Sequence, residues 1–278
     1  MATKKTELVV KSNRLVEASY RLSMIEQQVV LYAICRAREE EKGLFADLPL
    51  TVRAQDFAKQ FGIDGTNVYR QLKEAMDTLF NRHVVLHDTD PETGKPRVTK
   101  TRWISQSSYV DGAGHVQFIF SPAVIPYITR LGEDGGFTSY RLEKIGKMTS
   151  AHAVRLYELL VQYLKIGKRE VEVAWLRDVL QISGQYSAIK DFKLRVIDVA
   201  VTQINDLSDL VVSYEQRKTG RTVTHLMFTV REKAEAKPKP KKENIDRTYI
   251  EKHARPGESH DQAYRRLAEE RGQSRLVD

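Results

Sequence analysis

The residues best suited to bind another molecule are lysines and arginines grouped in the last third of the chain. In chain order they are Lys190, Lys193, Arg195, Arg217, Lys218 and Arg221. Lysine and arginine donate charge-assisted hydrogen bonds to phosphate oxygens, and arginine also forms paired bonds in one plane. These side chains could hold a polyanion if the fold presents them on one surface.

The composition agrees with a folded protein that has a polyanionic partner. The chain has 278 residues, a formal net charge of +8 and a pI of about 9.4. Basic proteins attract nucleic acids because neutralising phosphates releases counterions. No apolar stretch approaches the roughly 20 residues of a membrane helix, and residues 1–8 lack the apolar segment of a secretory signal. We expect no membrane contact and a cytoplasmic location.

Motifs for catalysis are missing from the sequence. Gly146-Lys147-Met148 is the nearest match to a phosphate-binding loop, but it lacks the glycine five residues earlier and the hydroxyl residue after the lysine. The histidines form no zinc motif, and we interpret His83 and His87 as exposed strand positions. The single cysteine, Cys35, lies in an apolar helical run and is predicted to be buried. The sequence predicts no catalytic centre, no metal site and no cofactor.

The first half of the chain has the pattern of a winged helix. Ser23-Met24-Ile25-Glu26 has the spacing of a helix capping box. The segments that follow are a strand near 48–52, helices over 54–61 and 66–80, and β-type alternation over 83–86, 97–104 and 115–120. We interpret the last three segments as one β-hairpin wing. This order is the winged variant of the helix-turn-helix.

The same order recurs in the second half. Thr149 or Ser150 caps a helix, and the next segments are a strand over 169–173, helices over 175–181 and 186–207, and strands over 210–214 and 222–230. The alignment of the two halves pairs Val52 with Val173, Phe57 with Asp178 and Gly62 with Ser183. The sequence therefore predicts an α+β fold with two tandem winged-helix domains related by internal duplication.

Beyond the second wing the sequence changes character. Residues 237–242 are basic and carry prolines, so they are predicted to form a linker and not a helix or core. Ser259 to Gln262 offers another capping box, for a short helix that Gly272 could end. We expect a basic linker followed by a short helical tail.

Three blocks of sequence resemble the replication initiator (Rep) proteins of iteron-containing plasmids. The blocks are residues 13–23 followed by Glu26-Gln27; residues 137–142 with Ser150 and residues 155–160; and Tyr186, Lys190, Phe192, Lys193, Val196 and Ile204-Asn205. They lie in the right order between residues 8 and 231, which is more specific than one short motif.

The resemblance implies an initiator that, as a monomer, binds double-stranded DNA at direct repeats called iterons. As a homodimer, it binds its own operator and represses its own gene. The resemblance also implies origin opening without catalysis and recruitment of the host initiator, helicase and chaperones. Together with the pattern of elements, it predicts three parts. These are an N-terminal winged-helix domain for dimerisation and auxiliary DNA contacts (1–131), a C-terminal winged-helix domain for the main DNA contacts (132–232), and a flexible basic linker with a C-terminal tail (233–278).

On the helix predicted over 186–207, a buried stripe fixes the face left for DNA. The residues predicted to be buried are Ile189, Phe192, Val196, Val199 and Ala200. The opposite face then carries Ser187, Lys190, Asp191, Leu194 and Arg195. Since arginine pairs with guanine and lysine approaches guanine or phosphate, Arg195 and Lys190 are the predicted base readers. Lys193 lies nearer the core flank and is predicted to contact a phosphate.

The remaining predicted contacts lie on the second wing and in the first domain. Arg217, Lys218 and Arg221 are predicted to reach a phosphate backbone or a minor groove. On the helix over 66–80 the outward residues are Asn67, Arg70 and Lys73. Because Glu74 and Asp77 dilute the positive charge of that face, we expect it to contact phosphates and not to read bases.

Two alternatives stay open on the sequence. A dimeric winged-helix transcriptional regulator would prefer an inverted repeat, because a two-fold protein matches a two-fold site. A relaxase-like nuclease would nick supercoiled origin DNA in the presence of a divalent metal.

Overall fold

The first half contains the predicted helices and strands. Two sheets beyond those of the wings were not predicted from the sequence, one pairing Leu8–Ser12 with Phe137–Arg141 and one formed by Ser19–Tyr20, His83–Thr89 and Pro96–Arg102. The computed structural model describes residues 7–63, 67–110, 112–129, 136–233, 247–255 and 258–270. The elements of the first half are β1 (Leu8–Ser12), α1 (Asn13–Val16), β2 (Ser19–Tyr20), α2 (Met24–Glu40), β3 (Leu50–Arg53), α3 (Ala54–Phe61), α4 (Val68–Leu79), β4 (His83–Thr89), β5 (Pro96–Arg102), β6 (Ile104–Tyr109), β7 (His115–Phe120) and α5 (Pro126–Thr129).

The second half repeats the helix, strand, helix, helix, hairpin order. Its elements are β8 (Phe137–Arg141), a 3₁₀ turn (Leu142–Lys144), α6 (Ala151–Val161), β9 (Lys168–Glu172), α7 (Val173–Val179), α8 (Ile189–Phe192), a π turn (Lys193–Ile197), α9 (Asp198–Leu207), β10 (Leu210–Thr219) and β11 (Thr222–Glu232). The chain divides into two compact units, Met1–Lys233 and Ala234–Asp278. No helix in the described ranges is both long and apolar enough to cross a membrane.

Side-chain caps start the first helix of each repeat. The Ser23 hydroxyl accepts a hydrogen bond from the Glu26 amide at 3.3 Å, and the Glu26 carboxylate accepts one from the Ser23 amide at 2.6 Å. This confirms the predicted capping box of α2. In the second half the Ser150 hydroxyl accepts from the Ala153 amide at 3.3 Å, so Ser150 and not Thr149 caps α6.

Two antiparallel sheets of the same design show which hairpins are the wings. In the second half the strand order is β10-β11-β9, and in the first half β3-β7-β6. β6 and β7 are therefore the first wing, and the hairpin β4–β5 belongs to a separate sheet with β2. Our interpretation of residues 83–120 as one wing was wrong. The fully buried Trp103 separates β5 from β6, and its carbonyl accepts from the Ser121 amide, so the chain changes sheets there.

The register of the internal repeat also differs from the predicted alignment. The Ile63 amide donates to the Ala58 carbonyl after α3, and the Ile182 amide donates to the Arg177 carbonyl after α7. Gly62 and Gln181 adopt left-handed φ angles of +64° and +53° at these helix ends. Gly62 therefore corresponds to Gln181 and not to Ser183, and the buried Phe57 to the buried Leu176 and not to the exposed Asp178.

One continuous apolar core lies under both winged helices. Helix α2 supplies many of the core residues of the first half. The ring of Tyr32 on α2 meets the ring of Phe57 edge to face, with centroids 5.9 Å apart. Cys35 is buried in the same helix, as predicted, and burial raises the pKa of its thiol. The long helix of the second half packs on α6, and buried residues of both halves belong to one apolar cluster.

A buried cluster of charges joins the N-terminal segment to helix α6. The Glu158 carboxylate lies 2.5 Å from the Lys11 ammonium and accepts a hydrogen bond from the Tyr140 hydroxyl at 2.6 Å. The Arg155 guanidinium donates to the Tyr20 hydroxyl at 2.5 Å and to the Ala18 carbonyl at 2.9 Å. Burial tends to raise the pKa of Glu158, but the two cations hold it below its usual value. We name these residues, Lys11, Tyr20, Tyr140, Arg155 and Glu158, the buried joint.

Two further bonds link the same N-terminal segment to the second winged helix. The Ser19 hydroxyl donates to the Asp178 carboxylate on α7 at 2.8 Å, and the Arg169 guanidinium on β9 donates to the Glu17 carboxylate at 2.7 Å. The segment that precedes the first winged helix is therefore held by side chains of the second.

The second compact unit contains a pair of short helices, α10 (Arg247–His253) and α11 (His260–Glu270). The Ser259 hydroxyl accepts from the Gln262 amide, and the Gln262 side chain accepts from the Ser259 amide, which confirms the predicted capping box. Ile250, Ala263 and Leu267 pack together between the helices. The predicted linker and Gly272 lie outside the described residues.

Candidate nucleic-acid interface

The long helix of the second half begins where an arginine holds the preceding turn. Tyr186 has a left-handed φ of +53°, and the Arg177 guanidinium donates to the carbonyls of Gln185 and Tyr186 at 2.8 and 2.7 Å. The first helical bond in this stretch runs from the Phe192 amide to the Ala188 carbonyl. The helix therefore starts at Ile189, whereas the sequence predicted a start at residue 186. Ser187 lies in the turn before the helix.

A π turn inside this helix changes which residues face the core. The turn spans Lys193–Ile197, between α8 and α9. Phe192, Val196, Ile197 and Ala200 are buried, whereas Val199 is 40% exposed. The prediction that Val199 belongs to the buried stripe was wrong, because the wider turn shifts the later residues around the axis. We call the whole segment, residues 189–207, the interface helix.

The outward face of the interface helix carries the residues that the sequence assigned to it. Ser187, Lys190, Asp191, Leu194 and Arg195 are all exposed. Within the described ranges, no hydrogen bond or ion pair joins the Lys190 or Arg195 side chain to another residue. Their donors are therefore available to a molecule that approaches this face.

Lys193 occupies a different place from these two cations. Its ammonium donates to the Gln216 side-chain carbonyl on β10 at 2.9 Å and lies 5.7 Å from the centre of the Tyr214 ring. The Tyr214 hydroxyl in turn donates to the Asp198 carboxylate on α9 at 2.6 Å. Lys193 thus ties the interface helix to its wing.

An asparagine fixes the same wing at its base. The Asn205 side chain accepts from the Val212 amide at 2.7 Å and donates to the Val212 carbonyl at 2.9 Å. This pair of bonds satisfies both backbone groups of one residue on β10. The wing and the interface helix are therefore held in a fixed arrangement. A surface that contacts two adjacent parts of a partner molecule needs such an arrangement.

The tip of the second wing presents basic residues at a tight turn. β10 and β11 are joined through Gly220, with φ +62°, and Arg221, a shorter connection than the predicted 216–220. The Arg217 guanidinium donates to the Glu170 carboxylate on β9 at 2.6 Å. Lys218 and Arg221 are exposed and have no side-chain partner among the residues described. Two of the three predicted wing cations are therefore unpaired.

On the equivalent surface of the first half, the basic side chains already contact other side chains. Val68, Leu72, Met76 and Leu79 form the buried face of α4, as predicted. On the outer side the Arg70 guanidinium lies 3.9 Å from the Glu74 carboxylate, and the Lys73 ammonium lies 4.1 Å from the centre of the Tyr109 ring. Asn67 is exposed and makes no side-chain capping bond to the helix.

The chemistry available at these surfaces is that of hydrogen-bond donors and positive charge. Across the described segments, no group of three or more histidine, cysteine, aspartate or glutamate side chains is placed to hold a metal ion. His83 and His87 are both exposed on β4. The exposed side chains of Lys190, Arg195, Lys218 and Arg221 can donate to phosphate oxygens and to the acceptor edges of bases.

The buried joint is the part that sequence reasoning missed. Its residues lie within or near the blocks at 13–23, 137–142 and 155–160 that carry the family resemblance. A lysine and a glutamate so far apart in the chain show no spacing that could pair them. Only their presence in those blocks could have marked them, as residues that position the two halves.

Comparisons with known proteins agree with this architecture. The sequence model of the family described as initiator replication protein, WH1, matches residues 8–161, and that described as initiator Rep protein, WH2, matches residues 172–230. A crystal structure of Pi initiator protein in complex with iteron DNA is similar over 82% of this chain and 98% of that chain, with a TM-score of 0.61 and 20% identity.

A second solved structure is similar in sequence over a shorter region. It is the WH1 domain of a replication protein isolated from a multiple sclerosis patient. The two chains are 40% identical over 39% of this chain and 82% of that one, with a TM-score of 0.34.

Proposed function

The chain belongs to the initiator replication protein family, with its two winged-helix domains, and from this we propose that it starts plasmid replication by binding iterons, the direct repeats of an origin. The observation that carries the proposal is the unpaired cationic surface of the interface helix and second wing. Lys190, Arg195, Lys218 and Arg221 are exposed there without protein partners among the described residues. A surface of this kind gains free energy by replacing the counterions of a duplex.

In the proposed complex the interface helix lies in a major groove. Arg195 and Lys190 donate to base edges, with Ser187, Asp191 and Leu194 beside them. Lys218 and Arg221 contact the neighbouring backbone or minor groove, and Lys193 and Arg217 hold the wing close to the phosphates. The Pi initiator protein, which shares this fold, was crystallised with iteron DNA, and this supports the same class of partner here.

The two winged helices divide the work in this proposal. Residues 132–232 provide the main DNA contacts, while residues 1–131 provide dimer contacts and auxiliary phosphate contacts from Asn67, Arg70 and Lys73. Residues 233–278 form a basic linker and tail. The monomer binds iterons and the homodimer represses the operator of its own gene.

Origin opening in this proposal uses binding energy and not hydrolysis. The bound initiator distorts neighbouring DNA and recruits the host initiator, helicase and chaperones in the cytoplasm. The protein needs no cofactor for these steps, since its contribution is positioning and charge. It therefore acts as a DNA-binding initiator and not as an enzyme.

The test is footprinting of the full chain on three duplexes with the same base composition. One carries tandem direct repeats of roughly 20 base pairs, about two helical turns, one carries the same unit as an inverted repeat, and one is scrambled. We expect periodic protection on the direct repeats at protein concentrations that leave the scrambled duplex open. Preference for the inverted repeat would favour the transcriptional regulator and contradict the proposal.

The nuclease alternative is tested in the same preparation. Supercoiled plasmid that carries the direct repeats is incubated with the protein and a divalent metal, and the nicked fraction is measured by gel electrophoresis. We expect no nicked product above the level without protein. A nick within the repeats would contradict a function based on binding alone.

A further inference from the structure

An apolar side chain stands in the middle of the cationic face of the interface helix. Leu194 is 57% exposed, four residues after Lys190 and directly before Arg195 in the sequence. The adjacent core positions are filled by Phe192, Val196 and Ile197, which are all buried. Leu194 is therefore not part of the core that the described residues form.

The π turn leaves a second apolar side chain of the interface helix exposed. Val199 is five residues later and is also exposed. In a regular α-helix two residues with this separation point about 140° apart. The wider turn at Lys193–Ile197 brings both side chains to the outside. The cationic face thus includes one exposed apolar side chain, Leu194, whereas the exposed Val199 lies beyond the π turn, in α9.

The combination identifies the chemistry of the group that covers Leu194. Unpaired cations on both sides of it favour a polyanion over an apolar peptide or a lipid chain. Within a major groove, the apolar group that base edges offer to a side chain is the 5-methyl of thymine. A leucine flanked by cations that contact phosphates or guanine is complementary to such a groove.

We propose that Leu194 is a specificity-determining residue that packs against the 5-methyl group of a thymine in the recognised site. The inference rests on the proposed function, since it requires that the interface helix enters a major groove. It adds an apolar contact to the polar contacts of Lys190 and Arg195. Removal of one buried methyl group should weaken binding by about three- to fivefold.

The experiment uses a duplex selected by the full chain from a randomised pool. Each thymine of the selected duplex is replaced in turn by deoxyuridine, which pairs identically and lacks only the 5-methyl group. Dissociation constants are measured for the wild-type protein, for Leu194→Ala and for the matched control Val199→Ala. Because both side chains are exposed, unfolding midpoints of the two variants should equal that of the wild type.

We expect one deoxyuridine position to weaken wild-type binding by about three- to fivefold. Leu194→Ala should bind the thymine duplex more weakly by a similar factor and should be insensitive to deoxyuridine at that position. Val199→Ala should keep the wild-type sensitivity. A selected site without thymine, a penalty unchanged in Leu194→Ala, or a penalty abolished by Val199→Ala would each overturn the inference while leaving the proposed function intact. Failure to select any sequence would overturn both.

Discussion

Helix α4 and the interface helix occupy the same place in the two repeats, but their basic side chains have different surroundings. On α4, Arg70 faces Glu74 at 3.9 Å and Lys73 lies over the Tyr109 ring. On the interface helix, Lys190 and Arg195 have no side-chain partner within the described ranges. The repeated fold alone therefore does not make a recognition surface.

The difference lies in where each half places acidic and aromatic residues around its cations. In the second half Asp198 accepts from Tyr214 and Glu170 accepts from Arg217, and Asp191, one turn before Arg195, forms no ion pair with it among the described residues. In the first half Glu74 lies one turn from Arg70 on the same exposed face. A duplicated module can thus keep its fold while the cations of one copy stay unpaired among the described residues.

The largest expected effect comes from breaking the joint that holds the two halves together. Glu158→Ala removes the carboxylate between Lys11 and Arg155 and leaves two buried cations without the negative partner that they share. We expect a loss of about 3–5 kcal/mol in the free energy of unfolding, measured by urea denaturation. The control Glu143→Ala removes an exposed partner of Arg141 and should cost less than about 1 kcal/mol. Equal losses of unfolding free energy in the two variants would contradict the stabilising role of the buried joint.

The next effect tests the π turn, which distinguishes the interface helix from α4. Ile197 is buried and Val199 exposed in the structure, the reverse of the stripe that helical spacing predicts. We expect Ile197→Ala to lower the free energy of unfolding by about 2–5 kcal/mol and Val199→Ala to change it by less than about 0.5 kcal/mol. Thermal or urea unfolding measures both. A larger loss for Val199→Ala would show a regular helix.

A smaller effect compares the two helices directly. Arg195→Ala should weaken binding to the selected repeat by about 1–3 kcal/mol and relax the preference at one base. Arg70→Ala removes a cation already close to Glu74 and should cost less than about 1 kcal/mol without changing the preference. Equilibrium binding to specific and scrambled duplexes measures both quantities. Equal losses for the two arginines would remove the distinction between the helices.

Much of the fold follows from local signals in the sequence. The boundaries of α3 agree with the predicted 54–61, and both capping boxes form. These signals are local because capping and helical spacing act within one or two turns. The outward side of the interface helix was predictable for the same reason, since Phe192 and Val196 fix its first turns.

The errors arose where contacts distant in the sequence decide the structure. The π turn cannot be read from the spacing of Val196 and Val199, and in the fold this segment packs on α6. The switch between sheets at Trp103 depends on a bond to Ser121, and alternation alone does not separate β5 from β6. Lys11 and Glu158 meet only through the tertiary fold.

The smallest effect separates the second wing from the hairpin β4–β5 that sequence patterns mistook for a wing. Lys218 is exposed at the tip of β10, and Lys100 is exposed on β5. If only the true wing reaches a phosphate, Lys218→Ala should weaken binding to the specific and the scrambled duplex alike and should lower the salt slope of binding by about one. Lys100→Ala should leave the slope unchanged. Binding isotherms over a salt series measure the slopes of both variants. A lower slope for Lys100→Ala would place β4–β5 against DNA, so that the two hairpins would neutralise phosphate charge equally.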